Sequence, residues 1–388
     1  MSKPSTPLPS NMITIGAELS TDVFAKNGML FIKRGHYVLT EAQKQRLLEH
    51  GLITGHDRAA QIEKELRERR EKHDQERREH ANRQSNPIME MDRLAHKMGG
   101  LLNRFFQFNN FAEEIEQVAE RLIRLANQHP DGLIASCLLV PYKDYGSMHS
   151  LHTAAILAVL GRRLNLPAAE QQILLCAALT MNISTTAMHS ELSRQEQPLD
   201  DAQRSEMYAH PLLSSAILRD LKIEDERWHL LIQQHHEEWN GSGYPYGLKK
   251  EQIDPGAHLI RLTDVLTSLL TTHAHRPGHL PSVALGKLYR GDFSEFDARF
   301  VAMLIKEIGI YPPGSFVRLS NGEIAVVVQR PPEGRGNTPR VASVRSGSGD
   351  MYGEPLPRNT ALTEYSITGP VSMKDAGIRP GFLVKQWG

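Results

Sequence analysis

From about Ile88 to Ile310, apolar positions recur three and four residues apart, which predicts a series of amphipathic helices with few or no strands. Leu94, Met98, Leu101, Leu102 and Phe105 mark one helix; Ile115, Val118, Leu122 and Leu125 mark the next. Leu151, Ala154, Ala155 and Ala158 follow, then Ile173, Leu174, Ala177 and Ala178. After Tyr311-Pro312-Pro313-Gly314 the period shortens to that of strands. Residues 316–320 and 324–328 flank Asn321-Gly322, a hairpin signal because Asn-Gly tolerates the positive φ of a tight turn. Val341–Val344 and Phe382-Leu383-Val384 are predicted as further strands, and 331–338, rich in Pro and Gly, as a loop. Near the start, Val23-Phe24 and Met29–Ile32 enclose Lys26-Asn27-Gly28 as a second hairpin. Thr40 and Gln43 then make a capping box ahead of Leu47-Leu48.

Between Asp57 and Arg83 the pattern is nearly all polar. Pairs such as Glu63–Arg67 and Glu68–Lys72 lie four apart with the acid first, the stabilising order on a helix, and no apolar seam persists. The expected organisation is therefore a small α/β unit over 1–56, a charged helical spacer over 57–87, a helical domain over 88–310 and a β extension over 311–388.

Composition narrows the function classes. The chain has 388 residues, 40% hydrophobic and 23% charged, with Lys+Arg and Asp+Glu equal at 45 each. That balance supplies no electrostatic reason for nucleic-acid or membrane binding. Cys137 and Cys176 sit in apolar surroundings, as small core residues of a reducing compartment do. Neither a basic-then-apolar leader nor a run approaching about 18 apolar residues is evident, so a cytoplasmic protein is expected. Histidine stands out at 18 copies.

Several of these histidines fall in ordered motifs. His235-His236-Glu237-Glu238-Trp239-Asn240-Gly241-Ser242-Gly243-Tyr244-Pro245 is the densest. Upstream lie His149, after Tyr145-Gly146-Ser147, where Ser147 is available as a helix cap, and His210, which precedes Pro211 and so is expected at a helix N-terminus. Asp264 follows in Arg261-Leu262-Thr263-Asp264. In order and spacing these motifs resemble the HD-GYP family, metal-dependent bacterial phosphohydrolases that typically cleave cyclic di-GMP. The resemblance covers roughly 88–330 and implies a mainly α fold: an HD-type helical bundle, with the α/β unit before it and the β-hairpin extension after it. It also implies that His149 and Asp264 serve one metal and that His210, His235 and His236 serve another, the metal being iron or manganese. Read from the residues alone, Asp264 is equally a surface partner of Arg261, three positions earlier on the same face.

The resemblance breaks at its core. Ala177-Ala178-Leu179-Thr180-Met181-Asn182-Ile183-Ser184-Thr185 aligns with the family's Ala-Ala-Leu-Leu-His-Asp-Ile-Gly-Lys. Met181 puts a thioether where hard divalent metals need a harder ligand, and Asn182 is a neutral amide where two cations need a carboxylate. One divalent metal on the three remaining histidines, or none, is the expected complement. Gly243-Tyr244-Pro245 and Arg276, in Arg276-Pro277, match family elements that face the nucleotide or a partner protein. Two functions follow: a regulatory member that binds a cyclic dinucleotide or a signalling protein, or a residual phosphodiesterase on a His-rich metal site.

Overall fold

The computed structural model describes residues 4–54, 86–140, 144–292, 295–331 and 338–388. Nearly all of the expected charged spacer, and most of the expected loop at 331–338, lie outside them. The chain divides into two compact units, 1–84 and 85–388.

In the first unit, β1 (Thr6–Pro7), β2 (Val23–Phe24), β3 (Leu30–Ile32) and β4 (Leu52–Ile53) form an antiparallel sheet in the order β1-β4-β2-β3. Helix α1 (Glu41–His50) starts on the expected capping box, with the Thr40 side chain accepting from the Gln43 N–H. Leu19, Val23, Leu47 and Ile53 close a small core.

The second unit is mainly helical, as the periodicity predicts. In chain order it contains α2 (Pro87–Asn103), α3 (Phe111–Gln128), α4 (Pro130–Leu139), α5 (Tyr145–Arg163), α6 (Ala168–Thr180) and α7 (Thr186–Leu192). Then come α8 (Asp201–Asp220), α9 (Glu226–Gln234), α10 (Pro255–Leu270), α11 (Pro281–Arg290) and α12 (Ala298–Ile308). Helix α5 is the hub, buried along its whole length from Gly146 to Gly161 and packed on α2, α3, α6 and α10. Its many Ala, Ser and Gly residues let neighbours approach from every side. At Gly146 a Cβ would sit 2.1 Å from the Thr186 carbonyl oxygen, so only glycine admits α7 there. Ser147 lies inside α5 rather than capping it; Asp144 holds the cap position, and the Ser147 hydroxyl donates to its carboxylate at 2.7 Å. Within Ala168–Leu192 one 18-residue window is apolar enough to cross a membrane by length and composition alone, and 72% of that window is buried within this bundle.

After the helices, β5 (Phe316–Leu319), β6 (Ile324–Gln329), β7 (Arg340–Arg345), β8 (Met351–Asn359) and β9 (Ile367–Val371) form an antiparallel sheet in the order β8-β7-β6-β5-β9. The predicted hairpin is present, with Phe316 opposite Val326 and Gly322 at φ 87°. Phe316, Val326 and Val344 share the helical core, while Val317, Leu319 and Val327 pack on the opposite face. Strands β8 and β9 carry Pro355, Pro357 and Pro370, which hid them from a periodicity reading. Proline is tolerated because both are edge strands with one unpaired side. Phe382-Leu383-Val384 is not a strand: it lies across two 3-10 turns, 380–382 and 384–387. Those turns bring the Trp387 indole N–H to the Val328 carbonyl at 2.8 Å.

Glu323 ties the sheet together electrostatically. Its buried carboxylate accepts from Arg358 at 2.8 and 3.0 Å, from Ser343 at 2.5 Å and from Tyr352 at 2.9 Å. The Arg358 hydrogen bonds above all push its pKa down to about 2. A depressed carboxylate contributes stability above its unfolded pKa of about 4.3 and loses it as pH falls toward 2. Glu323→Gln should therefore destabilise the protein by about 2–3 kcal/mol at pH 7. Thermal melts should show the gap between wild type and variant closing between about pH 4.5 and 2.

Candidate functional site

Helices α5, α7, α8 and α10 and the segments between them line one cavity. From α5, His149 Nε2 lies 2.6 Å from Asp264 Oδ1 on α10. Asp264 Oδ2 accepts from Arg261 Nη1 at 3.1 Å, and Arg261 Nη2 donates to Glu238 Oε1 at 2.7 Å. The Arg261–Asp264 pair foreseen at the surface is real but buried, with side chains only 16% and 11% exposed. Burial alone would raise the Asp264 pKa; the His149 hydrogen bond and the Arg261 charge outweigh it and hold the carboxyl well below the usual range. Burial likewise works against the Arg261 charge, but Asp264 and Glu238 more than offset it and raise its pKa.

His210 is placed by its neighbour in an unexpected way. It lies in the middle of α8, not at a helix N-terminus, and Pro211 is inside the helix. Pro has no N–H, so the Met207 carbonyl loses its usual donor four residues on. His210 Nδ1 donates to that carbonyl instead, at 2.6 Å. Helix α9 ends at Gln234, as the Gly-rich turn implied, and His235 Nδ1 donates to the Ile232 carbonyl at 2.6 Å. Both imidazoles thus have their protons committed to backbone, and their Nε2 atoms face each other at 3.1 Å. Burial pushes the His210 pKa to about 4 and, with help from His210, the His235 pKa to about 3. In the neutral forms two lone pairs converge on one point.

That convergence tests the implied metal. Two nitrogens bound to a first-row dication at about 2.0–2.1 Å are roughly 3–3.4 Å apart, so His210 and His235 fit one ion. The ligand atoms of His210, His235 and His236 lie within 4.8 Å of one another, a group that could hold a metal. The His149–Asp264 side does not fit a second. Met181 is fully buried in the apolar core, Asn182 offers only an amide oxygen, and a guanidinium already occupies Asp264.

The turn after His236 is pinned from below. The buried Glu237 carboxylate accepts from the N–H groups of Tyr246 at 2.7 Å and Leu248 at 2.8 Å. A Cβ at Gly243 would lie 2.3 Å from the Glu238 nitrogen, so glycine is required where the loop doubles back. Asn240 accepts from the Ser242 N–H at 2.8 Å, which makes the Asn in this position a turn residue. The loop lays the Tyr244 ring on His236, centroids 4.7 Å apart and nearly parallel, with Pro245 next in the chain.

His149, Asn182, His236, Arg261 and Asp264 line a cavity of about 660 Å³, a size suited to a small-molecule ligand. Arg276 also reaches it, fastened by Nη2 to the Ser268 carbonyl at 2.9 Å and hydroxyl at 3.0 Å. Four buried atoms on its wall have no hydrogen-bond partner among the described residues: Asn182 Oδ1, His189 Nε2, His273 Nε2 and Arg276 Nη1. The sequence reading passed over His189, His273 and the part played by Glu238. Of these only Glu238 carried a signal, since it adjoins the histidine pair; His189 and His273 reach the cavity through packing that no spacing encodes.

Comparison with known proteins agrees with this architecture. A family model described as HD domain matches residues 114–300. A cyclic di-GMP phosphodiesterase of Pseudomonas aeruginosa is 27% identical over 58% of this chain and 53% of its own length. The cyclic di-GMP phosphodiesterase response regulator RpfG of Xanthomonas campestris pv. campestris is 27% identical over 43% of this chain and 45% of its own. The chain spans about half the length of the curated relatives it matches. Among solved structures, an HDG"Y"P protein from Bdellovibrio bacteriovorus is 18% identical, with a TM-score of 0.48 over 76% of this chain and 96% of that one. Residues 114–300 thus match an HD domain, and the chain is similar to HD-GYP proteins.

Because Glu237 satisfies two buried backbone donors, Glu237→Ala should lower stability by about 2–4 kcal/mol, and Glu237→Gln, which keeps one acceptor, by about half that. Urea unfolding at neutral pH measures both.

Proposed function

We propose that this chain is a regulatory member of the cyclic di-GMP network that binds a cyclic dinucleotide and does not turn it over at a useful rate. The observation that carries this reading is the state of positions 181 and 182. Met181 is buried in the hydrophobic core and Asn182 brings a neutral amide to the cavity, so neither position supplies a carboxylate to pair with Asp264 across a metal. Phosphodiester hydrolysis on two ions depends on charge that clamps both the attacking and leaving oxygens, and the residues here do not supply a second ion. Binding keeps its apparatus. The cavity has nucleotide dimensions, and Arg276, Asn182, His189 and His273 are among the polar side chains that line it. The relatives named as cyclic di-GMP phosphodiesterases point to the ligand class. The composition supports a cytoplasmic setting, and the Gly243-Tyr244-Pro245 loop, flanked by the exposed Tyr208 and Tyr246, is the surface we assign to a signalling partner.

A second reading rests on the facing Nε2 atoms of His210 and His235. With His236 they would hold one iron or manganese ion, which when bound would lower the pKa of a coordinated water. Residual phosphodiesterase activity is the corresponding function.

Calorimetric titration with cyclic di-GMP, with and without added manganese, followed by chromatography of the nucleotide, separates the two. Binding with turnover at least about 100-fold below a relative with an intact His-Asp pair is expected. Arg276→Gln should weaken binding about 10-fold. Robust hydrolysis that disappears in His235→Ala would establish the second reading instead.

A further inference from the structure

The guanidinium of Arg261 lies where a cation belongs. It is one helical turn before Asp264 and touches three groups of the site: Asp264 Oδ2 at 3.1 Å, Glu238 Oε1 at 2.7 Å and His236 Nδ1 at 3.3 Å. Two of these are carboxylates, Asp264 buried and Glu238 partly so, and a buried carboxylate requires positive charge close by. The third contact is more telling. Where Nδ1 of His236 accepts a hydrogen bond, the proton of the neutral ring is on Nε2. That proton removes the lone pair with which His236 would complete a site with His210 and His235. A dication brought to either half of the cluster would also meet the fixed charge of Arg261 at close range.

We propose that Arg261 is a built-in replacement for metal. It pairs with both Asp264 and Glu238, ties up His236, and keeps the cavity organised with a side-chain cation in place of an ion. Arg261 is thus a positioning residue that sets the metal content of the site. This goes beyond the substitutions at 181 and 182, which explain the loss of ligands but not what balances the carboxylates left behind. Arg276, which also lines the cavity, is then left as the cation for an anionic ligand. The inference rests on the reading of an impaired metal core, but its test reads metal affinity alone, and nucleotide binding can fail without affecting it.

Manganese titration of the full chain, after dialysis against a chelator, tests it by calorimetry and by elemental analysis. Wild type should keep its helix content and Tm after chelation and bind manganese at least 10-fold more weakly than Arg261→Met. Arg261→Lys, which keeps the charge, should stay near wild type. The gain in Arg261→Met should vanish when His235→Ala is added. If Arg261→Met folds only when manganese is present, the ion has taken over the guanidinium's role and the proposal stands. If it does not fold even then, Arg261→Met combined with Glu238→Gln, which removes one charge of each sign, gives the same readout. Manganese that stays on wild type through chelator dialysis at one equivalent or more overturns the proposal. So does an unchanged affinity in whichever Arg261 variant folds.

Discussion

The Asp264 carboxylate, held between His149 and Arg261, is the contact on which the site depends. It joins the buried hub helix α5 to α10 at 2.6 Å and, through Arg261 and Glu238, joins α10 to the turn after the histidine pair. A charge this deeply buried is stable only while both partners stay in place. The helices around it are therefore locked in relative position, and every other group of the cavity is referred to that lock.

Around this ion pair the backbone supplies the orientation of the histidines. Pro211 frees the Met207 carbonyl for His210, and the end of α9 frees the Ile232 carbonyl for His235. These bonds decide which ring nitrogen faces inward, the kind of outer support that metal-binding histidines need. The loop that carries Tyr244 is fastened separately, by Glu237 to two backbone N–H groups. The result is a cavity with His149, His236 and Asp264 on one wall and Arg261 and Arg276 beside them.

Much of the fold was legible because it follows from local patterns. The helices between 88 and 310, both Asn-Gly hairpins and the Thr40 capping box depend on periodicity and turn chemistry within a few residues. The misreadings share one origin in long-range context. Strands β8 and β9 contain prolines that only an edge position excuses, and residues 382–384 look extended until Trp387 has to reach Val328. His210 was expected at a helix start because Pro usually stands there; packing kept Pro211 inside α8 and turned its defect into a hydrogen bond for the histidine.

The same division applies to the site. The sequence by itself determined the family, the order of His149, His210, His235, His236 and Asp264, and the departures at Met181 and Asn182, since these are identities at set spacings. Only the tertiary structure decided which of those groups meet and in what state. Arg261 reads as an ordinary helical partner of Asp264 until burial removes the water that would screen it and Glu238 and His236 arrive from another part of the chain. His189, His273, Asn182 and Arg276 come to line one cavity for the same reason: segments far apart in the chain meet there only once the fold has formed.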